Sequence, residues 1–188
     1  ATLNIAAGTH VLISGTSGAG STSGTDIIVS GGTINANGTS AQPVSITASD
    51  AATRWGEINV GGSTTSWNYC LVSRGAHSPG GGHTGTGPCF RLGNGAVWTF
   101  EDGVIADIPG KILTNSGNTT MTMRRSQFAR CVMGPETDGS AITIEDCNFS
   151  EMLPVYRESG AADDEDSIYI HDSGGRPVIL RRSVFSNS

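Results

Sequence analysis

Lysine occurs once in this chain, at Lys111, and charged residues of all kinds make up only 15% of it. The balance is acidic, with a formal net charge of −6. A nucleic-acid partner is therefore not expected, because binding a phosphate backbone needs clustered cations and no basic stripe is present. Long apolar runs are also missing: no stretch of about 18 residues could span a bilayer. No window shows the periodicity of an amphipathic helix. The four cysteines, Cys70, Cys89, Cys131 and Cys147, lack the CxxC spacing of a zinc or thioredoxin-type site. The chain opens on Ala1 with strand-like sequence, so its natural start is expected to lie upstream or to have been removed.

What the chain does contain is glycine, 27 of 188 residues, and apolar residues spread evenly at 36%. Short runs such as Val11-Leu-Ile13, Asp26-Ile-Ile-Val29 and Val44-Ser-Ile46 are closed by Gly, Ser, Thr and Asn. Strand signals closed this often by turn residues describe an all-β protein of short strands, and the length suits a single domain over 1–188.

An eight-residue pattern recurs through the second half: apolar, any, apolar, charged, charged, small, any, apolar. It reads Trp98-Thr-Phe-Glu-Asp-Gly-Val-Ile105, Met121-Thr-Met-Arg-Arg-Ser-Gln-Phe128, Ile142-Thr-Ile-Glu-Asp-Cys-Asn-Phe149 and Val178-Ile-Leu-Arg-Arg-Ser-Val-Phe185, after a weaker copy from Thr65 to Val72. The copies start 33, 23, 21 and 36 residues apart. The short spacings suit one bare turn of a stacked repeat; the long ones imply loop insertions at 77–87 and 153–166. Within a copy, residues 121 and 123 share a face, as do 126 and 128, and the change of parity demands a bend at Arg124-Arg125. In-register stacking would make one inward column of Trp67, Phe100, Met123, Ile144 and Leu180, and a second of Val72, Ile105, Phe128, Phe149 and Phe185. The charged pair alternates in sign from copy to copy, which predicts that the four copies are neighbours joined by a ladder of opposite charges.

The order of Pro43-Val-Ser-Ile-Thr47 and Trp55-Gly-Glu-Ile58, with Cys131-Val-Met-Gly-Pro-Glu136 and Asp163-Asp-Glu-Asp-Ser-Ile-Tyr-Ile170, resembles the right-handed parallel β-helix (pectate-lyase-like) superfamily. It is nearest to the β-helix repeat modules of large secreted or cell-surface bacterial proteins. The resemblance implies an all-β solenoid of about seven to eight coils, continued by further coils or modules of the same chain. It also implies a secreted or cell-surface location.

Relatives in that superfamily act on acidic polysaccharides, but the hydrolase signatures Asn-Thr-Asp, Gly-His-Gly and Arg-Ile-Lys are missing, and Arg176-Pro-Val-Ile-Leu-Arg181 departs from the lyase pattern RxPxxR. The expectation is a non-catalytic structural or adhesive module that binds glycans or cell-surface components. The alternative is a polysaccharide lyase or glycoside hydrolase module, for which Lys111, Arg157 and His171 are the candidate catalytic residues. Carboxylates at Asp163, Asp164 and Asp166, with Asp172 nearby, offer hard oxygen ligands to a calcium ion or form a solvated acidic loop. His77 and His83 belong to a glycine-rich surface loop. Trp67 and Trp98 fall at inward parity, whereas Trp55 is open between core and sugar platform. The cysteines read as buried thiols, or as Cys70–Cys89 and Cys131–Cys147 pairs.

Overall fold

A computed structural model describes residues 1–15, 25–76, 87–153 and 166–186. All eighteen elements among them are strands, and every pairing between them is parallel. No helix in the described residues is long and apolar enough to cross a membrane.

The first sheet takes one strand from each pass of the chain, in the order β1 (Thr2–Ala6), β4 (Thr33–Asn37), β7 (Thr64–Asn68), β10 (Val97–Glu101), β12 (Thr120–Arg124), β14 (Ala141–Glu145) and β17 (Val178–Arg181). A second stack follows the same order: β2 (His10–Ile13), β5 (Val44–Ala48), β8 (Cys70–Ser73), β11 (Val104–Asn115), β13 (Gln127–Asp138), β15 (Asn148–Met152) and β18 (Val184–Ser186). The remaining strands, β3 (Ile27–Ser30), β6 (Ile58–Gly61), β9 (Pro88–Leu92) and β16 (Tyr169–Asp172), join it through the C-terminal halves of β11 and β13 and make a third face. The second and third faces together form one eleven-stranded sheet, bent where β11 and β13 turn.

Both predicted columns hold in register and are buried as far as Ile144 and Phe149, whereas Leu180 and Phe185, on the last strands of their stacks, are exposed. Phe100 lies between Trp67 and Met123, and Ile105 between Val72 and Phe128. Phe100, Phe128, Phe149 and Phe185 follow one another at ring-centroid distances of 5.9, 4.5 and 4.9 Å, the last two contacts stacked. Trp67, Phe90 and Trp98 pack edge to face at 5.3 Å. All three tryptophans are buried, including Trp55, whose indole N–H donates to the Ser73 carbonyl at 2.8 Å. None is a sugar platform.

The bend at the repeat's charged pair is made by one residue. Tyr69, Asp102, Arg125, Asp146 and Arg182 occupy equivalent positions and all have φ between 47 and 56°. This left-handed conformation costs a side-chain-bearing residue about 1 kcal/mol or more. It turns the chain and switches which parity faces inward, so two apolar strands meet at a sharp corner. The next residue, at the repeat's small position, stacks as a column of Cys70, Gly103, Ser126, Cys147 and Ser183 and ties the corner. Ser126 Oγ donates to the Arg124 carbonyl at 2.7 Å and accepts from the Gly103 amide at 3.2 Å; Ser183 Oγ repeats both bonds with Arg181 and Cys147. Cys147 Sγ lies 3.3 Å from the Glu145 carbonyl, so a thiol performs the same task. All four cysteines are free and buried, and burial pushes the Cys70 and Cys131 thiols up to about 12.

Gly103 in that column has no room for a methyl group. A Cβ there would lie 2.7 Å from both the Cys70 carbonyl and the Phe100 ring. Gly103→Ala is expected to destabilise the fold by about 1–3 kcal/mol through overpacking, read as a lowered denaturant midpoint with unchanged m. Ser126→Ala, which removes a tie without adding bulk, should cost about 1 kcal/mol. A neutral Gly103→Ala would show that the corner has slack.

Candidate functional site

Among the described residues, those singled out in the sequence do not converge. Lys111 is in β11 with its side chain 3% exposed and its ammonium on the Glu136 carboxylate. Burial pulls its pKa down, against the pull of Glu136. His171, in β16, is well exposed and has Nδ1 3.7 Å from an Asp138 carboxylate oxygen. Both belong to the third face, but Lys111 pairs with Met133 while His171 lies beside Asp138. The five-residue offset is about 16 Å along the strands. Arg157, Asp163, Asp164, His77 and His83 lie outside the described residues. Asp166 is the one residue of the acidic run that is described, and its carbonyl accepts the Gly134 amide at 2.8 Å. No cluster of three or more His, Cys, Asp or Glu able to hold a metal exists among the described residues.

Lys111 is one part of a polar network on that face. Arg91 Nε lies 2.9 Å from both carboxylate oxygens of Glu57, and the Asn59 amide donates to Glu57 at 3.0 Å. The Glu57 side chain is only 6% exposed. Charges held this deeply are paired to satisfy one another, and the arrangement reads as a set of cross-strand ties.

The site with the form of a binding surface lies elsewhere, along the first corner. The left-handed backbone at Asp102, Arg125, Asp146 and Arg182 throws these side chains clear of the sheet. There they pair down the stack: Arg125 grips Asp102 with two bonds of 2.8 and 2.7 Å, and Arg182 grips Asp146 with two of 2.6 and 2.8 Å. Behind them Arg124 reaches Glu101 at 3.2 Å and Glu145 at 3.3 Å. The predicted ladder of alternating charge is thus built, with the four copies as consecutive neighbours. Between this rim and the outward file Val104, Gln127, Asn148 and Val184 runs an open groove of about 700 Å³. It crosses four passes of the chain, about 14 Å.

A second ladder bounds the same sheet on its far side. Arg74, Asp107, Arg130 and Glu151 stand at the next bend, all with φ between 53 and 61° and again alternating in sign. Arg130 Nε and Nη2 lie 2.7 and 2.9 Å from the two carboxylate oxygens of Asp107. Sequence reasoning missed this rail because the template ended at eight residues. The signal lay two residues beyond it, at a constant offset of nine from the start of each of the first four copies.

Hydrogen bonds from Arg125 hold the Asp102 carboxyl below its ordinary range, those from Arg130 do so for Asp107, and those from Arg182 for Glu145 and Asp146. None of these four carboxyls is therefore a general acid near neutral pH. The rim offers fixed charges, the amides of Gln127 and Asn148 offer both donors and acceptors, and Val104 and Val184 offer apolar surface. Near neutral pH the four carboxyls stand ionised, so the rim presents fixed charge and no carboxylic proton donor.

Carboxyls that ionise more readily folded than unfolded stabilise the fold above the ordinary carboxylate pKa, and that contribution is lost as falling pH passes through the lowered native values. Thermal midpoints are expected to stay level from about pH 8 to about pH 5 and to fall below about pH 4. The double variant R125A/R130A should flatten that acid limb. A fall confined to the range between pH 7 and 5 would point to histidine instead. Compared with family models, with curated proteins and with solved structures, the chain matches none of them.

Proposed function

We propose that this chain is a non-catalytic extracellular module, a single right-handed parallel β-helix domain, that holds glycan chains along the groove of its second sheet. The solenoid reading is supported by three parallel faces that each gain one strand per pass in the same order. Right-handedness follows the strong bias of parallel crossovers. The secreted or cell-surface location rests on the resemblance of Trp55-Gly-Glu-Ile58 and Cys131-Val-Met-Gly-Pro-Glu136 to surface β-helix modules.

The observation that carries the functional reading is the groove's composition and extent. An extended saccharide presents hydroxyls along its edges and C–H faces between them. Gln127 and Asn148 satisfy the first, Val104 and Val184 the second, and the half-exposed Arg125 and Arg182 guanidiniums hydrogen-bond vicinal oxygens from the rim. The groove is open along its length, as a surface for a polymer must be and a pocket for a small molecule usually is not.

The test is a glycan array, followed by calorimetric titration of the best ligand. Wild-type protein should bind an extended glycan, and Gln127→Trp or Asn148→Trp, which fill the groove from exposed or half-exposed positions, should weaken binding roughly tenfold or more. The same preparation is incubated with uronate-containing and neutral polysaccharides, with and without calcium. Release of unsaturated or reducing ends that is abolished by K111A would overturn the non-catalytic reading in favour of a lyase or hydrolase.

A further inference from the structure

The outer face of the first sheet has a regularity that the groove does not use. Away from the charged corner, and over the first six of the seven strands, the positions facing outward form two files; on the seventh strand Ile179 ends the second file. One runs Thr2, Thr33, Thr64, Val97, Thr120, Ala141; the other, two residues along each strand, runs Asn4, Asn35, Ser66, Thr99, Thr122, Thr143. From the second strand on, the residues between them, Ile34, Thr65, Trp98, Met121 and Ile142, are buried, which fixes the direction of both files; Leu3, on the end strand, is exposed. Register is kept across all six strands without a shift. Of the twelve outward positions, seven are threonine, three are asparagine or serine, and none is charged.

The first sheet therefore presents a lattice of small hydroxyl, amide and methyl groups. Its spacing is set by the backbone at about 4.8 Å from strand to strand and about 6.7 Å from file to file. Threonine has few χ1 choices, which limits the orientations its hydroxyl and methyl can take in a file. The Asn35 amide donates to the Asn4 side-chain oxygen at 3.0 Å, a bond that aligns one asparagine on the next. Strand propensity accounts for threonine as such, but it favours valine, isoleucine and tyrosine as well. It does not explain why charge is excluded here. Outward positions on the third face carry Arg91, Glu136 and Asp138, and charges on the first sheet appear only at its corner, from Glu101 to Arg181.

We propose that this face binds ice. Rows about 4.8 Å apart, crossed at about 6.7 Å, lie close to the two repeats of a prism plane of hexagonal ice. Hydroxyls and amides in such rows hold water by hydrogen bonds nearly as good as those water makes with itself. The methyl groups beside them present apolar surface whose hydration shell is already orientationally restricted. Water ordered on this lattice merges with the crystal as it freezes. A charged side chain would orient water radially about itself and break the pattern, which is the reason for the uncharged field.

The experiment measures ice shaping, thermal hysteresis and partition into a slowly growing ice hemisphere. Wild-type protein should facet the crystal and enrich in ice. Thr99→Tyr and Thr122→Tyr, at the centre of the array, should raise the concentration needed for either effect roughly tenfold or more, with the far-UV spectrum and melting midpoint kept. Gln127→Trp should be as active as wild type, which separates this face from the glycan groove. If a tyrosine variant does not fold, Thr143→Lys in the same file gives the same readout. Wild-type protein excluded from ice, or tyrosine variants as active as the parent, would overturn the proposal. So would adsorption to crystalline chitin or cellulose that is lost in Thr122→Tyr without any ice activity.

Discussion

Parallel hydrogen bonding between successive passes of the chain is the constraint on which everything else depends. It places each residue directly on its counterpart one strand away, so a side chain's neighbours are its own equivalents. A column must therefore tolerate itself. Aromatic rings do so by stacking, as Phe128, Phe149 and Phe185 show. Threonines and asparagines do so with short polar groups. Charges cannot, and the corners of this protein consequently alternate in sign. The same rule that makes the core continuous makes the surface periodic.

That rule explains what could be read from one sequence. Column membership needs only the repeat and its parity, and both inward columns, the small column and the first charge ladder followed from Met121-Thr-Met-Arg-Arg-Ser-Gln-Phe128 and its copies. The position of the bend was also legible, although its nature was not. Arg125 in a left-handed conformation carries no compositional mark of its own, since glycine and asparagine are absent from that column and aspartate, which tolerates the conformation, enters it only at Asp102 and Asp146.

What remained hidden depends on contacts outside the repeat. Trp55 sits outside the repeat copies, and its burial rests on the end of β8, where its indole meets the Ser73 carbonyl and packs against Gly75. Lys111 reads as a lone cation with catalytic promise; its partner Glu136 is 25 residues away and three positions out of register, across an irregular stretch of β11 and β13. One threonine file was in plain view as the position that the template left free, and the other lay one residue ahead of each copy. A pattern drawn to find the core discards the residues that face solvent, and there the candidate surfaces lie.

The alternating corners also restrict how such a chain can change its length. Deleting the single pass that contains Arg124-Arg125 would lower Glu145-Asp146 onto Glu101-Asp102, and the shorter stack would set carboxylate against carboxylate. Removing two passes would restore opposition. The ladder thus acts as a parity rule on the gene: repeats enter or leave in pairs, or else singly with a compensating reversal of charge.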